Sequence, residues 1–224
     1  MGRSVVATDN FNRASLGTDW TQLDTFDGSL IINTSIRLDS DNSSLGSSSP
    51  VGRWDGAGTF SDNQYAKITV KALDNIAAGH WGGVIVRASA DQDAARDFYY
   101  AIIESVGAGP TYTTRVGKVV NGTHTSLAST TQTWSIDDTI ELEVEGSDLR
   151  VYRNGSQITA LNVTDTALTT GKPGAITNAT FYLDDWEGGD VTAAGGGPAT
   201  GFSDTLLRKI QSHRPRPFSP GNAR

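Results

Sequence analysis

The chain has 224 residues, a length that suits one large β domain or two small ones. Hydrophobic residues make up 37% and charged residues 19%, which is typical of a globular protein, and there is no cysteine for a disulfide framework. The net charge of −7 is unevenly spread, because residues 203–224 hold five basic residues against one acid while the remainder is strongly acidic. An acidic body does not neutralise phosphates, so we expect no nucleic-acid partner.

The beginning of the chain, Met1–Asp9, lacks an apolar run long enough for a signal peptide. No later stretch approaches the roughly 20 apolar residues that a membrane-spanning helix needs. The sequence therefore predicts a soluble protein that is made in the cytoplasm and has no membrane partner.

Strands are indicated by residues that alternate between apolar and polar. Residues 66–72 and 139–145 both show this period of two, which is typical of a strand with one face in the core and one in water. Residues 83–87 and 98–103 are apolar almost throughout, which predicts central strands that are covered on both faces. The last strand is predicted over residues 179–186.

Turn chemistry separates these strands. Asn121-Gly122 and Asn154-Gly155 each stand between two strand-like runs, and Asn-Gly is the strongest short signal for a β-hairpin. Predicted strands recur about every ten residues, which indicates an antiparallel sandwich or barrel. The fold class we predict is all-β.

The end of the chain has a different composition. We predict a β domain over residues 1–191, a Gly-rich linker over 192–202 and a basic docking tail over 203–224, with a short amphipathic helix followed by an extended Pro-rich stretch. The tail residues expected to contact a partner are Leu206, Leu207, Ile210, Arg214, Arg216 and Phe218. The alternatives are a tail that folds back on the acidic body or one that is disordered.

Three groups of motifs, in this order and spacing, resemble concanavalin A-like (laminin-G-like) jelly rolls. They lie in residues 9–20, in residues 140–155, and in residues 181–186. The resemblance covers residues 4–191 and implies two packed antiparallel sheets with the first and last strands adjacent. The family includes lectins, glycan-binding modules, some glycanases and accessory domains of bacteriophage virions. With its linker and basic tail, the whole chain most resembles phage capsid decoration proteins and head or tail fibres.

Two carboxylates on one strand would suit a glycanase. Glu141, Glu143 and Glu145 have the spacing that puts side chains on one face. Because they alternate with the apolar residues that must fill the core, we expect the three glutamates on a solvated outer face. No residue near His80, His124 or His213 completes a nucleophile motif. The sequence thus predicts no enzymatic activity.

Sugar and metal sites are suggested by residue type alone. Trp54, Trp81, Trp134 and Trp186 would stack on sugar rings if exposed, although we expect each of them in the core. The resemblance also implies a structural Ca²⁺ site if the first and last strands meet, with Asp9, Asp184 and Asp185 as ligands. Acids at strand ends are also ordinary turn residues, and no other cofactor is expected.

Three functional hypotheses follow. The first is a non-enzymatic virion accessory protein, made in the host cytoplasm, whose tail binds a capsid or tail shell protein and whose jelly roll faces outward and adheres to surface glycans. The second is a free-standing carbohydrate-binding module. The third is a glycan hydrolase or lyase. Monomers, dimers and trimers are all compatible with the sequence.

Overall fold

The computed structural model describes residues 2–24, 28–41, 50–73, 79–107, 111–178 and 181–192. Its strands are β1 (Gly2–Asp9), β2 (Trp20–Gln22), β3 (Leu30–Ile32), β4 (Leu38–Ser40), β5 (Val51–Trp54), β6 (Gln64–Ala72), β7 (Trp81–Ala88), β8 (Phe98–Ser105), β9 (Thr111–Val120), β10 (Thr123–Thr133), β11 (Thr139–Glu145), β12 (Asp148–Arg153), β13 (Ser156–Gln157), β14 (Val163–Thr164), β15 (Lys172–Thr177) and β16 (Tyr182–Thr192). Two short 3₁₀ turns cover Asp93–Ala95 and Thr159–Leu161. No helix in these ranges is long and apolar enough to cross a membrane.

The strands form two antiparallel sheets. The nine-stranded sheet has the order β13-β12-β11-β6-β16-β4-β3, with β1 paired to β16 and β14 paired to β12. The seven-stranded sheet has the order β10-β9-β8-β7-β15-β5-β2. The predicted all-β sandwich of two antiparallel sheets is therefore confirmed, with the first and last strands adjacent.

The core lies between the sheets. Ile140, Leu142 and Val144 of β11 are fully buried in it, as their alternation predicts, and so are the inward residues of β6. The two Asn-Gly turns also form as predicted. In both hairpins the Asn and the Gly adopt positive φ, the backbone that a two-residue hairpin needs to match the strand twist.

The last strand extends farther than the sequence indicates. The last strand is predicted to end at residue 186, whereas Gly188 and Gly189 also lie inside β16, which runs to Thr192. A Cβ at Gly189 would overlap the carbonyl oxygen of Ser4 on β1, so glycine here lets two strands approach closely rather than breaking one. The remainder of the predicted linker, and the whole predicted helix and tail, lie outside the described residues.

Candidate functional site

A cleft of about 580 Å³ opens where the end of β1 meets β16. Its lining residues are Thr8, Asp9, Asn10, Arg13, Asp19, Trp54, Asp185, Trp186 and Glu187. Two of the predicted calcium ligands, Asp9 and Asp185, thus meet a predicted sugar-binding residue, Trp54, in this cleft. The cleft is the leading candidate for a ligand site, since it combines aromatic rings with several convergent polar groups.

The base of the cleft is made of packed tryptophans. Trp54 stacks on Trp186 with ring centroids 5.3 Å apart, and Trp20 meets both rings edge-on. Each indole N–H has an acceptor, with Trp54 donating to the carbonyl of Ala57 at 3.2 Å. Trp54 is only 8% exposed, so it offers the cleft a ring edge rather than an open face. This burial supports the prediction that these tryptophans are core residues rather than open platforms for sugar rings.

Asp9 joins this base to the rim. Its buried carboxylate accepts from the backbone N–H of Phe11 at 2.8 Å and from Trp20 Nε1 at 2.7 Å. Arg13 donates two further hydrogen bonds, at 2.6 Å each, in the bidentate geometry that suits a guanidinium. The hydrogen bond that Arg13 donates to Asp9 raises the pKa of Arg13, although partial burial opposes the change. Asp9 therefore organises the loop that follows β1.

Asp185 reaches the rim through a β-bulge. The pairing of β16 with β6 shifts between Asp184 and Glu187, and Asp185 adopts a left-handed φ of 50°. A bulge redirects a side chain out of the regular alternation, and a non-glycine residue held at positive φ is often found at a functional position. The Asp185 side chain is 58% exposed and lies 3.8 Å from Lys71.

The three predicted calcium ligands do not converge in this structure. Asp9 and Asp185 line the cleft, whereas Asp184 is absent from its lining and accepts a hydrogen bond from the backbone N–H of Asp185 at 2.9 Å. Among the described residues, no group of three or more His, Cys, Asp or Glu side chains is arranged to hold a metal ion. Both carboxylate oxygens of Asp9 accept hydrogen bonds from Arg13. Calcium binding therefore stays a prediction, and it would require Arg13 to release Asp9.

Trp81 lies elsewhere, on the outer face of the seven-stranded sheet. Its ring is 6.0 Å from that of His124, which in turn is 5.9 Å from Tyr100. Buried apolar residues such as Ile85 and Ile102 surround this aromatic group. Within the described ranges, Trp81 Nε1 and His124 Nε2 are buried without a hydrogen-bond partner. Burial lowers the pKa of His124, with nearby Arg96 adding to the effect.

Trp134 is a core residue. It is 2% exposed, and its Nε1 donates to Thr114 Oγ1 at 2.8 Å. The guanidinium of Arg153 lies 5.4 Å from its ring centroid and covers the outer side. A sugar ring has no access to this indole.

The expectation of a solvated glutamate face is wrong. Glu141 is 3% exposed and Glu143 is fully buried, because Arg3 of β1 lies across them. Arg3 Nη1 donates to Glu141 Oε2 at 3.0 Å and Nη2 to Glu143 Oε2 at 3.0 Å, while its guanidinium is 4.8 Å from the ring centroid of Tyr152. Burial raises the pKa of Glu141 to about 7, opposed by Arg3.

Nothing near Glu141 in the sequence signals this contact. Arg3 is 138 positions away and reaches the glutamates only because β1 joins the nine-stranded sheet beside β16. Arg150 of β12 binds Glu143 from the other side at 3.0 Å. The spacing of the glutamates correctly put them on one face, but what covers that face depends on long-range pairing. The six tail residues predicted to dock a partner lie outside the described part of the chain.

Comparisons with known proteins support the same architecture. The structure is similar to a carbohydrate-binding module from Bacillus subtilis, CBM66, with a TM-score of 0.52, 14% identity, and coverage of 78% of this chain and 94% of that chain. A protein of unknown function with a galectin-like fold from Bacillus subtilis gives 0.55 at 12% identity, over 84% and 97% of the two chains. No protein-family model matches the chain, and no curated protein matches it in sequence.

The prediction of no enzymatic activity is contradicted by a third comparison. The catalytic domain of an endo-1,3-β-glucanase (laminarinase) from Thermotoga petrophila gives a TM-score of 0.52 at 8% identity and covers 86% of this chain and 99% of that one. A catalytic domain therefore has this same architecture, and the sandwich does not separate enzymes from binding proteins. What the neighbours have in common is a concanavalin A/galectin-like jelly-roll β-sandwich, and this chain has that fold.

Proposed function

We propose that this protein is a glycan-binding β-sandwich and that its binding site is the cleft between β1 and β16. The observation that carries the proposal is the composition of that cleft. Carboxylates, an amide and a guanidinium lie around the edges of two tryptophan rings, within about 580 Å³. The vicinal hydroxyls of a sugar need hydrogen-bond partners on several sides, and the apolar side of its ring packs on aromatic carbon. The cleft offers groups of both kinds.

The rim has groups that are free to change partners, which a sugar site requires. Asn10 is exposed, and its carboxamide oxygen accepts only from the backbone N–H of Asn12 at 3.1 Å among the described residues. Asp185 is exposed and held by the bulge rather than by a close ion pair. The base, in contrast, is rigid because Asp9 ties Trp20 to Arg13. A fixed base with an adaptable polar rim suits a specific ligand of modest affinity.

The test is calorimetric titration of the whole protein against a panel of soluble polysaccharides and oligosaccharides. For a glycan that binds, Asp185→Ala and Asn10→Ala should each weaken the affinity about tenfold, or about 1.4 kcal/mol. The matched control is Asp137→Ala, because Asp137 is also an exposed acid at positive φ that contacts Lys71. It should leave the affinity unchanged.

The aromatic group around Trp81, on the outer face of the seven-stranded sheet, is the alternative location for a glycan site. If Trp81→Ala abolishes binding while the two cleft variants bind normally, the site is the outer face of the seven-stranded sheet and the cleft assignment fails. If no glycan in the panel binds, the glycan-binding proposal itself fails.

We also propose the narrower role that the sequence suggests, a virion accessory protein attached to a capsid or tail shell protein through residues 203–224. The support is the charge contrast between a basic tail and an acidic body, together with the Gly-rich segment between them. Deleting residues 199–224 should leave the sandwich folded and abolish incorporation into particles. Normal incorporation of the truncated protein would contradict this role.

A further inference from the structure

The outermost strand of the seven-stranded sheet is unusually long for an edge. β10 covers 11 residues, Thr123–Thr133, and pairs only with β9 in the described part of the chain. Its sequence, THTSLASTTQT, has no Lys, Arg, Asp, Glu, Pro or Gly. Natural proteins commonly protect such an edge with charges, proline or a very short strand, because its unpaired N–H and C=O groups readily pair with another chain.

Most other sheet edges in the described residues are protected in those ways. β2 and β3 have three residues each, and β13 has two. The eight-residue β1 is longer, but it carries Arg3 and Asp9 at its ends. Among the edge strands of the described ranges, β10 alone combines length with the absence of charge.

The two faces of β10 differ in their exposure to solvent. Ala128, Thr130 and Gln132 are half-buried and face the core and the 3₁₀ turn Thr159–Leu161 from the other sheet. Ser129, Thr131 and Thr133 are exposed and face outward. Outside the ladder with β9, no backbone hydrogen bond in the described ranges involves β10. Nothing in the described part of the chain therefore pairs with the free edge of β10.

We propose that two copies of this protein associate by antiparallel pairing of their β10 strands, which joins the two seven-stranded sheets into one. A two-fold axis perpendicular to the sheet keeps inward residues opposite inward residues. Each residue then pairs with one of the same parity. Because a bulge between Ser126 and Ala128 interrupts the strand, the regular run is 128–133 and the axis passes through Thr130 or Thr131.

With the axis at Thr131, that threonine faces its own copy and Ser129 faces Thr133. Pairs of threonine and serine across antiparallel strands form favourable contacts. A second copy fits this edge for an electrostatic reason as well. The body of the protein is strongly acidic, so two copies repel each other over most of their surface. On the neighbouring strand β9, the cations Arg115 and Lys118 are already paired with Glu104 and Asp165. These charges beside β10 are therefore balanced, and two copies can meet at this edge without that repulsion.

The protein has no cysteine, which permits a direct test by disulfide formation. Directly opposite residues in an antiparallel pair have Cα atoms about 4.5–5.5 Å apart, within the range that a disulfide spans. In the full chain, Thr131→Cys or Thr130→Cys should form a covalent dimer rapidly under mild oxidation, depending on where the axis lies. Thr34→Cys is the control, because Thr34 is exposed in the turn between β3 and β4, and β3 lies beside β2 at the opposite end of the seven-stranded sheet from β10.

A second variant tests the same edge without new covalent chemistry. Thr131→Lys puts two positive charges opposite each other at the axis, so the dimer dissociation constant should rise at least tenfold in sedimentation equilibrium. Thr34→Lys, at the control position, should not change it. Circular dichroism checks that both variants stay folded. The proposal is overturned if the wild-type chain is monomeric at every concentration, or if the β10 cysteines cross-link no faster than the control cysteine.

Discussion

The buried glutamates beneath Arg3 make a sharp prediction about stability and pH. Glu141 is 3% exposed, and its pKa is raised from 4.5 to about 7, mainly by burial and with a contribution from neighbouring Glu143. The folded protein therefore holds this proton more tightly than the unfolded chain does. Stability from this group is fully present below pH 4.5 and is lost as the pH rises through 7.

The magnitude follows from linkage. One pKa unit corresponds to about 1.4 kcal/mol, so between pH 5 and pH 8 Glu141 should lower the free energy of unfolding by about 2–3 kcal/mol. Glu141→Gln has the same shape and can still accept a hydrogen bond from Arg3, but it does not titrate. The difference in stability between the variant and the wild type should therefore shift by that amount in favour of glutamine as the pH rises.

The assay is urea denaturation of both proteins at several pH values and constant ionic strength. Using the difference between the two curves removes the contributions of every other titrating group. Arg3→Gln serves as a second variant, because removing the cation that lowers the pKa of Glu141 should extend the loss of stability to higher pH. If Glu141→Gln and the wild type follow parallel curves between pH 5 and pH 8, the buried, raised pKa of Glu141 is refuted.

Two further predictions concern folding. Asp9→Ala leaves the Trp20 indole N–H without its acceptor and Arg13 without its carboxylate partner, so we expect a loss of about 2–4 kcal/mol in urea denaturation, with Asp9→Asn losing less. Gly83→Ala puts a methyl group into the backbone carbonyl of Ala101 on the neighbouring strand, so we expect a loss of more than about 4 kcal/mol or no folded protein in circular dichroism. A wild-type unfolding midpoint for either alanine variant would contradict the packing described for it.

Most of the fold could be predicted from the sequence because its signals are local. The alternation in residues 139–145 depends only on the pleat of one strand, and Asn154-Gly155 on the φ angles of one turn. These rules work wherever the strand is placed in the sheet. Local rules do not predict the role of Gly188 and Gly189, because a glycine at a close contact between strands and a glycine in a linker look alike in sequence.

Only part of the candidate cleft could be predicted from the sequence. Asp9 and Asp185 could be expected to meet, because adjacency of the first and last strands was implied by the family resemblance. The bulge that turns Asp185 outward could not be expected, since it lies at a register shift between β16 and β6, two strands that are more than 100 residues apart in sequence. Nor does any local pattern show that Arg13 satisfies the carboxylate of Asp9 and makes it a structural group.

The first strand connects the stability of the sandwich to its candidate site. Arg3 at one end of β1 binds Glu141 and Glu143, and Asp9 at the other end organises the cleft. β1 pairs with β16 along its length, and β16 also carries Asp185 and Trp186. Any change that loosens Arg3 therefore acts on the same strand pair that positions both sides of the cleft. Because the base of the cleft is tied to this pair through Trp20, its shape depends on the N-terminal strand as much as on the rim residues themselves.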